Sequence, residues 1–136
     1  MLTFPAGKIE PDPAVLPGAN MALDEWTDSI SLFSRLVPET QVIPVLVSGV
    51  FSPRALTSPL ARLRRRQADR ERFAAMLQVA APRRYPVRVT VALGRPCGNP
   101  DLPSAGIPPG NSGAIKQAVV DEMHRLLETS PQRLLL

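Results

Sequence analysis

The sequence predicts an α/β fold in which helices flank a small, mostly parallel or mixed sheet, and three observations predict it. Leu23, Trp26, Ile30, Phe33 and Val37 recur at alternating steps of three and four, the spacing of one helical face. Val42-Ile43-Pro44-Val45-Leu46-Val47 is rich in β-branched residues and lacks polar alternation, as in a strand buried on both faces of a parallel sheet. Pro86 to Leu93 alternates apolar and polar residues over most of its length, as in a strand with one wet face.

Taken in order, residues 2 to 5 read as the end of a strand, so that the chain opens as though in the middle of a domain. Gly7 and the segment Pro11-Asp12-Pro13 to Pro17-Gly18 follow as a stiff loop, because proline fixes φ and removes a donor. The first helix runs from about Ala22 to Val37 and is closed by Pro38. The strand at 42–47 contains Pro44, which cannot donate to a ladder and so belongs at an edge, a bulge or a strand's beginning. Residues 55–81 read as helix, or as two shorter helices, with Leu56, Leu60 and Leu63 on one stripe and Gln67 and Arg70 interrupting it before Phe73 and Leu77. The strand at 86–93 ends at Gly94, and a loop rich in Gly, Pro and Asn reaches Gly113. Asn111 or Ser112 caps a last helix that carries Ile115, Val119, Met123 and Leu126 on one stripe. The alternation of strand and helix favours layers joined by crossovers.

Composition narrows the class. The chain has 136 residues, 44% hydrophobic but only 4% aromatic, so one aliphatic core is expected. No apolar run approaches the roughly 20 residues of a membrane-spanning helix, and the start has no signal-peptide pattern. The single cysteine, Cys97, excludes an internal disulfide and fits a reducing compartment. The formal net charge is +4, yet Arg62, Arg64, Arg65, Arg66, Arg70 and Arg72 crowd one stretch.

Chemistry-bearing patterns are few. Phe4-Pro5-Ala6-Gly7-Lys8 places a glycine and a cation directly after an expected strand, where backbone donors and an ammonium can meet a phosphate. The plainer alternative is a glycine turn with a solvated lysine. Phe4-Pro5-Ala6-Gly7 followed by Ile43-Pro44-Val45-Leu46 resembles two ordered blocks of the glycerol-phosphate and lysophosphatidate acyltransferase family. The resemblance covers about residues 2–128, although only those two blocks are specific. It implies that residues 2–128 are the C-terminal part of one acyltransferase-like domain, with 129–136 a loose tail. It further implies that Pro5, Gly7 and Lys8 bind the phosphate of a glycerol-phosphate-type acceptor, and that Pro44 lines the site of the acyl donor, a coenzyme A or carrier-protein thioester. Ala6, Lys8 and Ile9 stand where the family's typical Phe-Pro-Glu-Gly-Thr-Arg-Ser has Glu, Thr and Arg.

Catalysis in that family depends on a His followed five residues later by an Asp, the imidazole acting as base and the carboxylate orienting it. This chain lacks the pair. Its one histidine, His124, is followed five residues later by Thr129 and reads as a solvent-facing helix residue. No catalytic residue, metal cluster or cofactor motif replaces it, and Cys97 reads as a loop thiol. The expectation is therefore a fragment of an acyltransferase of phospholipid biosynthesis, cytoplasmic or peripheral at the membrane's cytoplasmic face, inactive alone, with the pair encoded upstream. The alternative is a non-catalytic module that binds an anionic membrane surface through Arg62, Arg64, Arg65 and Arg66, each worth about 1 kcal/mol near anionic lipid. Nucleic acid is the weaker partner, because no aromatic residues interleave the run. A solvated helix face, partly neutralised by Asp69 and Glu71, is the third reading.

Overall fold

The computed structural model describes residues 2–7, 10–37, 40–98 and 112–130. These combine helices with one small antiparallel sheet. These described residues divide into two compact units, one built from residues 2–7, 10–11, 18–37, 40–46, 91–98 and 112–130, the other from residues 12–17 and 47–90. The sheet pairs β1 (Val45–Ser48) with β2 (Thr90–Leu93), and the chain leaves the first unit within β1 and returns within β2.

In the first unit the expected helix over 22–37 is two helices, α1 (Ala19–Asp24) and α2 (Ser29–Leu36). The break falls at Glu25-Trp26-Thr27-Asp28, where the backbone is drawn elsewhere. The Thr27 N–H and hydroxyl both donate to the Pro5 carbonyl, at 3.1 and 2.8 Å, in place of continuing a helix. The Trp26 indole N–H donates to the Glu10 carboxylate. The apolar stripe survives this interruption: Leu23, Trp26 and Ile30 enter the core, whereas Val37, beyond the end of α2, is exposed. The last helix, α6 (Ser112–Thr129), presents Val119, Met123, Leu126 and Leu127 to the same core, which Leu46 and Cys97 complete.

The sheet differs from expectation in number and direction. Residues 2–5 form no strand: Phe4 to Gly7 is a turn, closed by the Gly7 N–H on the Phe4 carbonyl at 3.1 Å. The two strands that do form are antiparallel, not parallel, because an unbroken apolar run reports burial but carries no information on direction. Val42 and Cys97 exchange both backbone bonds, and further along the Gly94 N–H donates to the Pro44 carbonyl at 2.7 Å. The pairing offset changes by one residue between these two points, which marks a bulge on the strand leading away from β2. Pro44 sits just before β1 at this irregular position, where its missing donor leaves no gap in the ladder.

In the second unit the expected helix over 55–81 is three: α3 (Pro53–Leu56), α4 (Pro59–Arg62) and α5 (Gln67–Ala80). Pro53 and Pro59 each occupy a first-turn position after a serine, where proline suits a helix start, so each begins a new helix. Ser58 Oγ accepts the Ala61 N–H at 3.3 Å. The core is small, with Val15, Ala55, Leu56 and Ala74 buried and Phe51, Leu77 and Tyr85 packed against them. Two polar clamps supplement it. The Gln78 side chain accepts from Ser52 N–H and donates to the Val50 carbonyl. Asp12, only 2% exposed, accepts the N–H groups of Ala14, Gly49 and Phe51 at 3.0, 2.8 and 3.1 Å.

Asp12→Ala would strand three donors and empty the centre of this loop. Charged hydrogen bonds contribute about 1.5–3 kcal/mol each, and part of that is recovered by water. A stability loss of about 3 kcal/mol is expected in denaturant unfolding; a loss below about 1 kcal/mol would show that the carboxylate does not organise the unit.

Candidate functional site

The turn that carries Pro5 and Gly7 is fixed by backbone bonds. Pro5 is anchored through Thr27, in the break before α2, and Gly7 adopts φ +62°, a left-handed conformation that favours glycine. A Cβ added at Gly7 would meet nothing within 4 Å, so the position needs glycine for its backbone and not for space. Its N–H donates to the Phe4 carbonyl at 3.1 Å. Lys8 lies outside the described residues. Pro44 is buried and held by its bond to Gly94, so Pro5 and Pro44 are secured by separate contacts.

Around Gly94 lies a polar arrangement that sequence reasoning missed. The buried Glu122 of α6 accepts the Arg95 N–H at 2.7 Å and takes two bonds from Arg125, at 2.8 and 2.5 Å. A Cβ on residue 94 would come within 2.9 Å of the Glu122 side chain and 3.2 Å of Pro44, which requires glycine there. The Arg125 guanidinium, aided by the Arg95 N–H and opposed by burial, holds the Glu122 carboxyl at about 2. Nearby, burial and then the Glu122 charge push the Cys97 thiol up, away from the thiolate a nucleophile needs. The three-residue spacing of Glu122 and Arg125 on a helix was the available signal. His124 is half-buried on α6 rather than fully solvent-facing. No group of three His, Cys, Asp or Glu among the described residues could hold a metal ion.

The second unit carries the arginines. Arg62 ends α4, Arg64 and Arg65 lie in the non-helical link, and Arg66 precedes α5 at its N-cap; all four are exposed. Arg54, Arg72, Arg83, Arg84 and Arg88 are exposed in the same unit. Asp12–Pro17 and Val47–Thr90 hold ten of the sixteen basic residues and three of the twelve acidic ones, a formal +7, while the remainder of the chain, with six and nine, carries −3. Apolar side chains accompany them: Leu60, on α4, is 60% exposed and Leu63, in the link, 78%. The unit's aromatic rings are half-buried, and Arg64 and Arg84 lie over Phe73 and Tyr85, at 5.6 and 5.8 Å from the ring centres.

No protein-family model, curated protein or solved structure matches this chain. No helix among the described residues is long and apolar enough to cross a membrane.

Because the folded Glu122 titrates below its ordinary 4.5, its ionised form contributes stability that is complete above that value and is lost as pH falls from 4.5 towards 2. Glu122→Gln is expected to lower stability at neutral pH by about 1–2 kcal/mol and to flatten the acid limb of a stability–pH curve. A variant whose acid limb matched the parent's would remove Glu122 from that role.

Proposed function

We propose that this protein binds anionic membrane surfaces peripherally through α4 and the link that joins it to α5. The observation that carries this reading is the placing of four exposed arginines, Arg62, Arg64, Arg65 and Arg66, around two exposed leucines, Leu60 and Leu63. Guanidinium groups meet lipid phosphates while leucine side chains enter the boundary of the acyl region. The aromatic residues of the unit favour a membrane over single-stranded nucleic acid: Phe51, Phe73 and Tyr85 are half-buried, and two of them are already covered by arginine, so they do not form a stacking platform.

At about 1 kcal/mol per arginine, replacing all four by glutamine should weaken binding to phosphatidylserine-containing vesicles by two to three orders of magnitude, roughly. Raising salt should weaken the parent in the same direction. Vesicle flotation measures this. Binding indifferent to lipid charge, or stronger binding to RNA than to vesicles at equal salt, would sink the reading.

A second reading rests on the order of the Phe4-Pro5-Ala6-Gly7 and Ile43-Pro44-Val45-Leu46 blocks. It is supported by a left-handed glycine closing the first block and a proline directly before the strand of the second. In it the chain is the acceptor- and donor-binding part of a layered phospholipid/glycerol acyltransferase domain, with Pro5, Gly7 and Lys8 meeting the acceptor phosphate and Pro44 the acyl donor. Its partners are then a glycerol-phosphate-type acceptor and acyl-CoA or an acyl-carrier protein, and the catalytic pair lies outside these 136 residues. Glycerol 3-phosphate should then shift the amide resonance of Gly7 saturably. An unmoved Gly7 at millimolar ligand would end this reading.

A further inference from the structure

The strand β2 turns its apolar side away from the core. Val87, Val89, Val91 and Leu93 alternate with Arg88, Thr90 and Ala92, a pattern that in a half-buried strand sends the larger apolar set inward. Here that set is 45 to 69% exposed, while Ala92 between Val91 and Leu93 packs against the core of the first unit. β1 behaves alike: Leu46 is buried, Val45 and Val47 are exposed, and so is Ile43, two residues before Val45.

The register puts these side chains on one surface. The Gly94 N–H on the Pro44 carbonyl sets residues 94 and 44 opposite each other. One step along the ladder Val45 stands opposite Leu93, and directly opposed residues of antiparallel strands point to the same face. Ile43, Val45, Val91 and Leu93 of the first unit therefore share one aliphatic face, which runs on along the strands to Val47 and Val89. Charge is the usual guard of an exposed strand, yet no charged residue stands at any of these positions. Such side chains, each near half exposed, leave on the order of 500 Å² of apolar surface, a patch large enough to mark an interaction site.

We infer that this face packs against the same face of a second copy of the chain, sheet on sheet. Two such faces remove about 1,000 Å² from water, the least that a specific interface requires. A surface whose side chains carry neither charge nor hydrogen-bonding group is complementary to itself, and a two-fold axis brings it onto an identical one. Packed sheets lie about 10 Å apart with their strands within about 30° of each other, a spacing that interdigitating Val, Ile and Leu side chains fill.

The test is sedimentation equilibrium of the full chain, without lipid, from about 1 to 500 µM, because an interface of this size is expected to dissociate at about 10–100 µM. Val91→Lys brings two like charges into the interface and is expected to weaken association about a hundredfold or more, with an unchanged circular-dichroism spectrum. Should that variant fail to fold, Val45→Thr combined with Val91→Thr keeps shape and strand preference and is expected to weaken association roughly tenfold. A dimer undiminished by these substitutions overturns the inference. So does a parent that stays monomeric at the highest of these concentrations; loss of vesicle binding by Val91→Lys would then give the face to lipid.

Discussion

A carboxylate taken out of water must be met by donors, and in each unit one such carboxylate decides where the loops go. Asp12 gathers three N–H groups from its own turn and from the segment after β1, so that Gly49 and Phe51 are fixed by a side chain rather than by a ladder. Glu122 holds the Arg95 N–H and thereby the bulge that follows β2. That grip has a consequence for composition. Gly94 must lack a side chain because Glu122 and Pro44 fill the space beside it, and Gly49 must because its Cβ would lie 2.1 Å from the Arg88 carbonyl. Both units have small cores, so the polar contacts settle details that apolar packing leaves open.

What the sequence discloses depends on whether the signal is periodic. The stripes through Leu23, Trp26 and Ile30 and through Val119, Met123 and Leu126 are legible because burial of one helical face imposes a period that no local bond can disguise. The break at Thr27 is not, since it depends on a carbonyl at Pro5, distant in sequence. Pro59 does announce the start of α4, by the steric logic of a first-turn proline. Strand direction is beyond such reading: the run from Val42 to Val47 looks buried on both faces, yet only Leu46 and Ser48 of β1 point inward. Pro44 is the instructive middle case. Its missing donor demands an irregular position, and the bulge provides one, but its place beside Gly94 and Glu122 needs coordinates.

The exposed arginine link was legible as a charge run, but not its partnership with Leu60 and Leu63, which an unbroken helix would have turned to one stripe. Because α4 ends at Arg62 and α5 begins at Gln67, Leu63 to Arg66 escape helical periodicity and stand exposed together, and Leu60 and Arg62 are exposed on the short helix before them. The two contributions are of the same order. Four arginines near anionic lipid supply about 4 kcal/mol, whereas two partly inserted leucines supply less than the roughly 1.5–3 kcal/mol each of full burial.

The same arithmetic bears on why a unit this small would keep ten arginines against three acids. Like charges crowded on one link repel, most strongly at low salt, and the Arg70 Nε, shut off from solvent without a partner, adds a desolvation cost that Leu or Met at position 70 would avoid. Arg125 is treated differently, its guanidinium being met by a carboxylate only three residues away. The fold thus satisfies a guanidinium where its charge serves the fold, at Glu122, and leaves the arginines between α4 and α5 to the solvent.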